Sequence, residues 1–369
     1  MLLCDEDLQK QSPKSTVAEQ KLVEEGLIMR VRRSDAGDLE ELRGLFETVF
    51  QRSFPKEEWA WKYEGDGVGY VLENEDGAVV GHAGYVRRRM TVEGQAVTAS
   101  LRVDTMVHPD ARGKGAYRTL LEASVRMEEE EGVAFLYGFP SEQAKGPLMK
   151  VTGASAVTGV PKYRLVTRPF RILAFYIGVL KFLTPLDRLA VRLLARKQKA
   201  LPDGVTLQRV TGEEGLLPWS VSNLVTKPVQ ALRDPAFVHA RYIEHPDAAY
   251  QVYRVDQLQQ PVGYVVTKIE ERTRRGRVVK EGRIIDLALP GAVDAAGVVG
   301  GVSGIMTAEG ASFIQLWSLG ATVMADAVEA NGYQADGEPM TLVVKTLTKD
   351  RAPLYSKNWF ITMGDVDSY

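Results

Sequence analysis

The sequence predicts an α/β protein with mixed sheets, split into two domains joined by a helical connector. Three observations carry this. The chain has 369 residues, more than one hydrophobic core ordinarily organises. Strand-like runs alternate with amphipathic helical patterns from residue 27 onward. The composition shifts over 166–203, where apolar residues at helical spacing are interleaved with arginine and lysine, before the alternating pattern resumes. The expected layout is a polar tail over 1–26, a first domain over 27–165, an amphipathic connector over 166–203 and a second domain over 204–369.

The elements of the first domain follow in order. Leu27–Arg33 has strand content, and Ser34-Asp35 offers a cap for a helix from Ala36 to about Phe50, with Leu39, Leu42, Leu45, Phe46 and Val49 on one face. Trp59, Trp61 and Tyr63 form an aromatic-rich segment, a spacing commoner in cores than in acceptor pockets. Val68–Asn74 and Ala78–Arg88 read as a hairpin about Asp76-Gly77, and the chain turns again at Glu93-Gly94. Leu101–Val107 is a buried strand by its β-branched and apolar content, stopped by Pro109, which offers no ladder donor. Asp110–Gly115 supplies turn residues, and Leu120, Leu121, Ala123, Ser124 and Met127 then recur at helical spacing, with Glu128–Glu131 expected as a solvated helix end. Val133–Phe139 is a further strand, and Pro140-Ser141-Glu142-Gln143 opens a short helix toward Thr152-Gly153.

Composition narrows the class. Hydrophobic residues make up 45% and charged residues 25%, as in ordinary folded domains. A net charge of -2 gives no global field for a nucleic-acid partner, so none is expected. The single cysteine, Cys4, excludes an intramolecular disulfide and suits a reducing, cytoplasmic compartment; in its polar context it reads as inert. With one cysteine and four histidines, no metal site is expected. Asp5, Glu6 and Asp7 stand where a secretory signal would be basic and then apolar.

The strand–turn–helix at 101–127 has chemical meaning. A helix opening near Gly115 leaves backbone N–H groups without partners and about half a positive charge at its start. A glycine-rich turn lets a phosphate approach those amides, with Arg112 and Lys114 beside them. The same residues also fit an ordinary turn whose basic side chains are merely solvated.

His108-Pro109-x-x-Arg112-Gly113-Lys114-Gly115 resembles motif A of the GNAT N-acetyltransferase superfamily, whose core pattern is Arg/Gln-x-x-Gly-x-Gly/Ala. Arg112 and Gly115 match, and Tyr117 stands where the family usually has glycine or alanine. The resemblance implies acetyl-coenzyme A as co-substrate. Its pyrophosphate would bind Arg112, Gly113, Lys114, Gly115, Ala116, Tyr117 and Arg118, and its pantetheine arm would run along Asp104, Thr105, Met106 and Val107. It further implies that 133–139 splays from 101–107, with the acetyl group in the gap and Gly138–Ser141 facing it, and a primary amine of a small molecule as acceptor. The tyrosine that often protonates the leaving thiolate in the family has no counterpart in Lys145–Lys150. Catalytic candidates are Glu142 and Asp104 as bases and Tyr137 as a replacement acid. Beside each stands a structural role: a solvated or capping carboxylate, a core tyrosine. His108, before proline in a turn, reads as structural. The missing tyrosine leaves open the alternative of a non-catalytic acyl-coenzyme A or ligand-binding protein.

The connector's apolar run is broken by Lys181 and Pro185, well short of a membrane span. Such a segment can lie on an anionic membrane or pack between domains with its charges in water, and the packed connector is the expectation. In the second half, Asp234–Tyr242 echoes Lys56–Tyr63, Ala249–Val255 and Val262–Glu270 form a hairpin, Arg283–Leu289 matches the central strand, and Ala321–Asn331 the final helix. After Leu289, Pro290–Gly301 lacks the Arg-x-x-Gly-x-Gly pattern, so this half resembles a second, degenerate GNAT-like domain with a structural or substrate-shaping role. The tail from Lys357 to Asp367 is read as a last strand.

Overall fold

The computed structural model describes residues 20–24, 27–212, 215–216, 227–246, 250–320 and 322–367. Cys4 and most of the expected polar tail lie outside these residues, as do Ala249 and Ala321, the expected starts of a strand and a helix. The chain runs through β1 (Gln20–Glu24), β2 (Leu27–Arg33), α1 (Leu39–Phe50), α2 (Lys56–Tyr63), β3 (Gly67–Glu73), β4 (Val79–Val92), β5 (Gln95–Val107), α3 (Ala116–Glu130), β6 (Phe135–Gly138), α4 (Glu142–Thr152) and β7 (Ser155–Val160). It continues through β8 (Lys162–Val166), α5 (Pro169–Tyr176), α6 (Asp187–Ala195), β9 (Val205–Val210), β10 (Val229–Ala231), α7 (Pro235–Val238), β11 (Tyr250–Gln257), β12 (Gln260–Arg274), β13 (Arg277–Ala288), α8 (Ala295–Ala308), β14 (Phe313–Trp317), α9 (Val323–Ala330), β15 (Gln334–Ala335) and β16 (Met340–Thr346).

Two sheets result. The first has the order β1-β2-β3-β4-β5-β6-β16-β7 with β10 paired on β4; the second has the order β15-β8-β14-β13-β12-β11-β9. In each, one parallel pair, β5–β6 or β13–β14, is joined by a crossover helix, α3 or α8. Each sheet also takes a strand from the other half of the chain. β16 wedges between β6 and β7, and β8 pairs with both β14 and β15. The expected boundary after residue 165 is therefore corrected: β8, placed in the first domain, completes the second sheet, and β16, placed in the second domain, completes the first. A short apolar run reads the same in either sheet, and only its distant partner decides.

Local chemistry explains the first elements. Asp35 accepts from Gly37 N at 2.7 Å and Asp38 accepts from Asp35 N at 2.8 Å, a capping box that opens the turn into α1. Leu42, Leu45 and Phe46 are then buried as the apolar face. Glu93 and Gly94, at φ 50 and 83, make the tight β4–β5 turn. β1 pairs with β2 inside the stretch expected as a loose tail.

Three further expectations are overturned. Glu128, placed at a solvated helix end, is fully buried; it accepts from Tyr70 Oη at 2.7 Å, from Arg87 Nη2 at 3.0 Å and from Ser100 Oγ, anchoring α3 to the sheet. The tail forms 3-10 turns at Ala352–Leu354, Ser356–Asn358 and Met363–Asp365 in place of a strand. The reason is the Arg233 guanidinium, 2% exposed, which needs Asp286 at 3.0 Å and Asp365 at 2.7 Å to be buried at tolerable cost. The connector is not packed between domains: α5 sends Ala174 and Phe175 inward, Phe175 joining Val279 and Phe313, while most of the segment's apolar side chains face outward.

The main core is shared. Leu101, Tyr137 and Trp359 pack in one cluster with Tyr264, Ile285 and Trp317 from the second sheet, so the two halves bury a common apolar layer.

Candidate active site

The site is built where β5 and β6 part. They pair only at Ala99–Phe135, Ser100–Leu136 and Leu101–Tyr137. From Arg102 onward β5 stays bonded to β4 as far as Val107, but its other edge is open. An open edge presents backbone groups to whatever enters the gap.

A bulge sharpens this edge. The β4–β5 register slips between His82 and Gly84, and opposite it Asp104 takes φ 42, in the left-handed region. A non-glycine residue held there needs partners to fix it. His82 Nδ1 donates to the Asp104 carbonyl at 2.9 Å, which makes Nδ1 the protonated ring nitrogen. Burial pushes the His82 pKa down, so the ring is neutral, and its Nε2 has no hydrogen-bond partner. The Asp104 carboxylate receives two donors on the same oxygen: Tyr63 Oη at 2.8 Å and Lys62 Nζ at 3.0 Å. Lys62 also donates to Asp367 at 2.8 Å. Burial opposes the charged form of Lys62, but Asp367 and Asp104 overcome it and hold the ammonium charged. Asp367 resists its own burial through the Lys62 charge and stays below the usual carboxylate range. Gly84 is required beside this cluster, since a Cβ there would fall 2.2 Å from Tyr63 Oη.

The turn into α3 is open. Gly113 and Gly115 sit at φ 78 and 77; Gly115 is the N-cap without a side-chain bond, and the first turn holds no acidic residue. Nothing lies within 4 Å of where a Gly113 Cβ would be. The first turn of α3 thus has no N-cap side chain to accept from its amides. Arg112 Nε donates to the Val107 carbonyl at 3.2 Å, tying the turn to the end of β5. His108 serves the turn itself: its Nδ1 accepts from Asp110 N at 3.3 Å.

A cavity of about 530 Å³ connects these parts. Arg102, Asp104, Thr105 and Tyr117 line it on the β5–α3 side, and Gly138–Ser141 close it on the β6 side. Phe46, Phe50 and Phe54 form an apolar wall. His245, Tyr250 and Lys268 reach in from the second half, and Lys62 and Asp367 stand where the halves meet.

Of the residues singled out by sequence, Asp104, Thr105 and Tyr117 face the cavity. Arg112, Gly113, Lys114, Gly115, Ala116 and Arg118 surround the open turn, while Met106 and Val107 are buried on the two faces of β5. Two catalytic candidates do not reach the cavity. Glu142 lies just after the N-cap Ser141, its side chain 77% exposed, in a surface ion pair with Lys145 at 2.7 Å. Tyr137 is 1% exposed between Phe135 and Trp359; burial drives its pKa far up, and its hydroxyl has no hydrogen-bond partner. Trp59 stacks on Tyr63 at 4.5 Å and Trp61 Nε1 donates to the Ala240 carbonyl at 3.0 Å, so both are packing residues.

Sequence reasoning missed Lys62, Asp367 and Arg102. Arg102 stands where the strands part; Nε, Nη1 and Nη2 are all buried and none has a hydrogen-bond partner among the described residues, with the Tyr85 ring 5.9 Å away. The signal was present, because arginine between Leu101 and Val103 interrupts an apolar strand. No local signal marked Asp367, which meets Lys62 only through the fold.

The parallel pair β5–β6 thus splays just ahead of a glycine-rich helix start. Residues 30–146 match the family model described as an acetyltransferase (GNAT) domain. Solved structures share the fold over most of the chain. A conserved protein of unknown function from Enterococcus faecalis V583, described as a "probable N-acyltransferase", aligns at 12% identity and TM-score 0.60, covering 87% of this chain and 73% of that one. A GCN5-related N-acetyltransferase from Anabaena variabilis aligns at 14% identity and TM-score 0.59, covering 86% and 73%. Saccharomyces cerevisiae N-myristoyltransferase with bound myristoyl-CoA aligns at 11% identity and TM-score 0.57, covering 91% and 83%. No curated protein sequence matches the chain.

Proposed function

We propose that the protein is an N-acyltransferase that moves an acetyl group from acetyl-coenzyme A to a primary amine of a small molecule. The observation that carries this is one continuous cavity. It reaches from Tyr117 on the first turn of α3, through the open edge of β5 at Asp104 and Thr105, to a wall supplied by the second half of the chain. A diphosphate would sit on the amides of Gly113–Arg118 beside Arg112 and Lys114, and the pantetheine arm would take the place beside β5 that β6 vacates.

In this reading the amine enters from the side of Phe46, Phe50 and Tyr250 and attacks the thioester carbon. A C–N bond forms, the C–S bond breaks, and coenzyme A leaves as a thiolate that takes its proton from solvent water. Asp104 takes the proton of the attacking nitrogen, directly or through one water. Tyr63 and Lys62 fix its carboxylate by holding Oδ2, and His82 fixes the backbone beneath it. The second half, a degenerate repeat of the first, closes the acceptor side with His245, Tyr250 and Lys268.

Arg102 supports a second reading of the donor. Its three unpartnered nitrogens lie at the narrow end of the gap, beyond the expected position of the thioester. An acetyl methyl leaves that charge unpaired, whereas an acyl chain ending in a carboxylate would neutralise it. The test is thiol release across a panel of primary amines with acetyl- and succinyl-coenzyme A, using wild type, Asp104→Asn and Arg102→Gln. Asp104→Asn should lower turnover about 10²–10⁴-fold with coenzyme binding kept. If coenzyme A binds but no amine releases thiol from either donor, the non-catalytic binder replaces the enzyme. Loss of a succinyl preference in Arg102→Gln supports the second reading, and equal use of both donors by wild type removes it.

A further inference from the structure

Among the described residues, the large apolar side chains left exposed are concentrated in one place. Of thirteen on the surface, eight lie between residues 173 and 193. Val179 is 78% exposed, Phe182 71%, Tyr176 60% and Leu189 58%. A patch of this density is rare on a protein surface without a partner. It is also held in place. Asp187 accepts from the amides of Phe170 and Arg171 at 2.9 and 3.0 Å, folding α6 back onto α5, and Phe175 anchors the pair to the second sheet. Leu194 turns inward while Phe182, Leu186, Leu189 and Leu193 fall outward at helical spacing.

The exposed charges on this segment have one sign. Arg171, Lys181, Arg188, Arg192, Arg196 and Lys197 are exposed on the segment. The β12–β13 turn adds Arg274, whose guanidinium lies 5.3 Å from the Tyr176 ring, and Arg275 beside it. The sole acid between 168 and 202 is Asp187, which is buried and already bonded to two amides. Among the described residues no helix is long and apolar enough to cross a membrane.

We propose that residues 171–193, with the 274–275 turn, dock the protein on an anionic membrane, apolar side chains entering the headgroup boundary and arginines meeting lipid phosphates. The choice of occupant rests on charge: a protein face covering this patch would need carboxylates, and a second copy of the chain would bring the same cations against it.

The test is flotation of the full chain with vesicles of phosphatidylcholine alone or enriched in phosphatidylglycerol, at low and high salt. Wild type should float with the anionic vesicles at low salt, and at least about tenfold less with the neutral ones or at high salt. Val179→Asp with Phe182→Asp should abolish flotation. Lys181→Glu with Arg188→Glu and Arg192→Glu should reduce it to the neutral-vesicle level. Circular dichroism establishes that each variant is folded, and none of these residues lines the acyl-transfer cavity. Failure of wild type to float on anionic vesicles overturns the proposal. So does a wild-type dimer in light scattering that Val179→Asp with Phe182→Asp converts to monomer, which would make the patch a self-association face.

Discussion

Replacing Lys62 with methionine tests the cluster that joins the two halves of the cavity. Methionine keeps the length and apolar stem, so the change removes the charge and two hydrogen bonds, at 3.0 Å to Asp104 and 2.8 Å to Asp367. The Lys62 side chain is 4% exposed, that of Asp104 10% and that of Asp367 20%. Breaking a buried pair by deleting one partner costs about 3–5 kcal/mol, because the remaining charge stays in a poor solvent. Both carboxylates keep some water and Tyr63 still donates to Asp104, which places the loss at the lower end, ~3 kcal/mol. The pH dependence should invert as well. In the wild type, Lys62 holds the Asp367 pKa below its unfolded value, so that carboxylate contributes stability above about pH 4 that is lost on further acidification. In the variant Asp367 keeps the burial that raises its pKa but loses the Lys62 charge that lowered it, so it takes up a proton at higher pH and the deficit should shrink as pH falls from neutral. Urea unfolding followed by circular dichroism at several pH values measures both effects. A loss under about 1 kcal/mol, or one independent of pH, would refute the claim that this ammonium is the counter-charge of a buried pair.

Other consequences are as direct. His82 is neutral and its pKa is depressed by burial, so the unfolded chain protonates first as pH falls below about 6.5; stability is full above that pH and declines below it. His82→Gln should flatten this decline in urea midpoints, and parallel profiles would contradict it. Gly84→Ala puts a methyl 2.2 Å from Tyr63 Oη and should cost about 1–3 kcal/mol with reduced turnover; an unchanged melting temperature would show that Tyr63 is free to move. Glu128→Gln weakens the anchor shared by Tyr70, Ser100 and Arg87 and should lose about 1.5–3 kcal/mol in urea unfolding, against no measurable loss if the acid were solvated.

What the sequence made legible was local. Leu42, Leu45 and Phe46 recur at helical spacing, the hairpin turns carry their glycines, and Pro109 and Gly115 mark where β5 stops and α3 starts; each is decided by a few neighbouring residues. The open turn was legible for the same reason, whereas the gap beside Asp104 was expected only through the resemblance to the GNAT superfamily. The exchange of β8 and β16 was not, because an apolar strand does not name its partner. Glu128 and Asp365 were misread since nothing near them in sequence shows that Arg87 or Arg233 will meet them. Glu142 sat in the right turn, but as the first helical residue it projects into water. Lys62 and Asp367 are separated by most of the chain and become one feature only after both sheets have formed.

The central claim is that the uncapped start of α3 holds the diphosphate of a coenzyme A thioester. The most direct measurement is calorimetric titration of the full chain with acetyl-coenzyme A, in wild type, Arg112→Ala and Gly115→Glu, each first shown to be folded by circular dichroism. Wild type should bind, and Gly115→Glu, which sets a carboxylate against those amides, should weaken binding at least about tenfold, with Arg112→Ala intermediate. No binding by wild type, or equal binding by Gly115→Glu, would contradict the account.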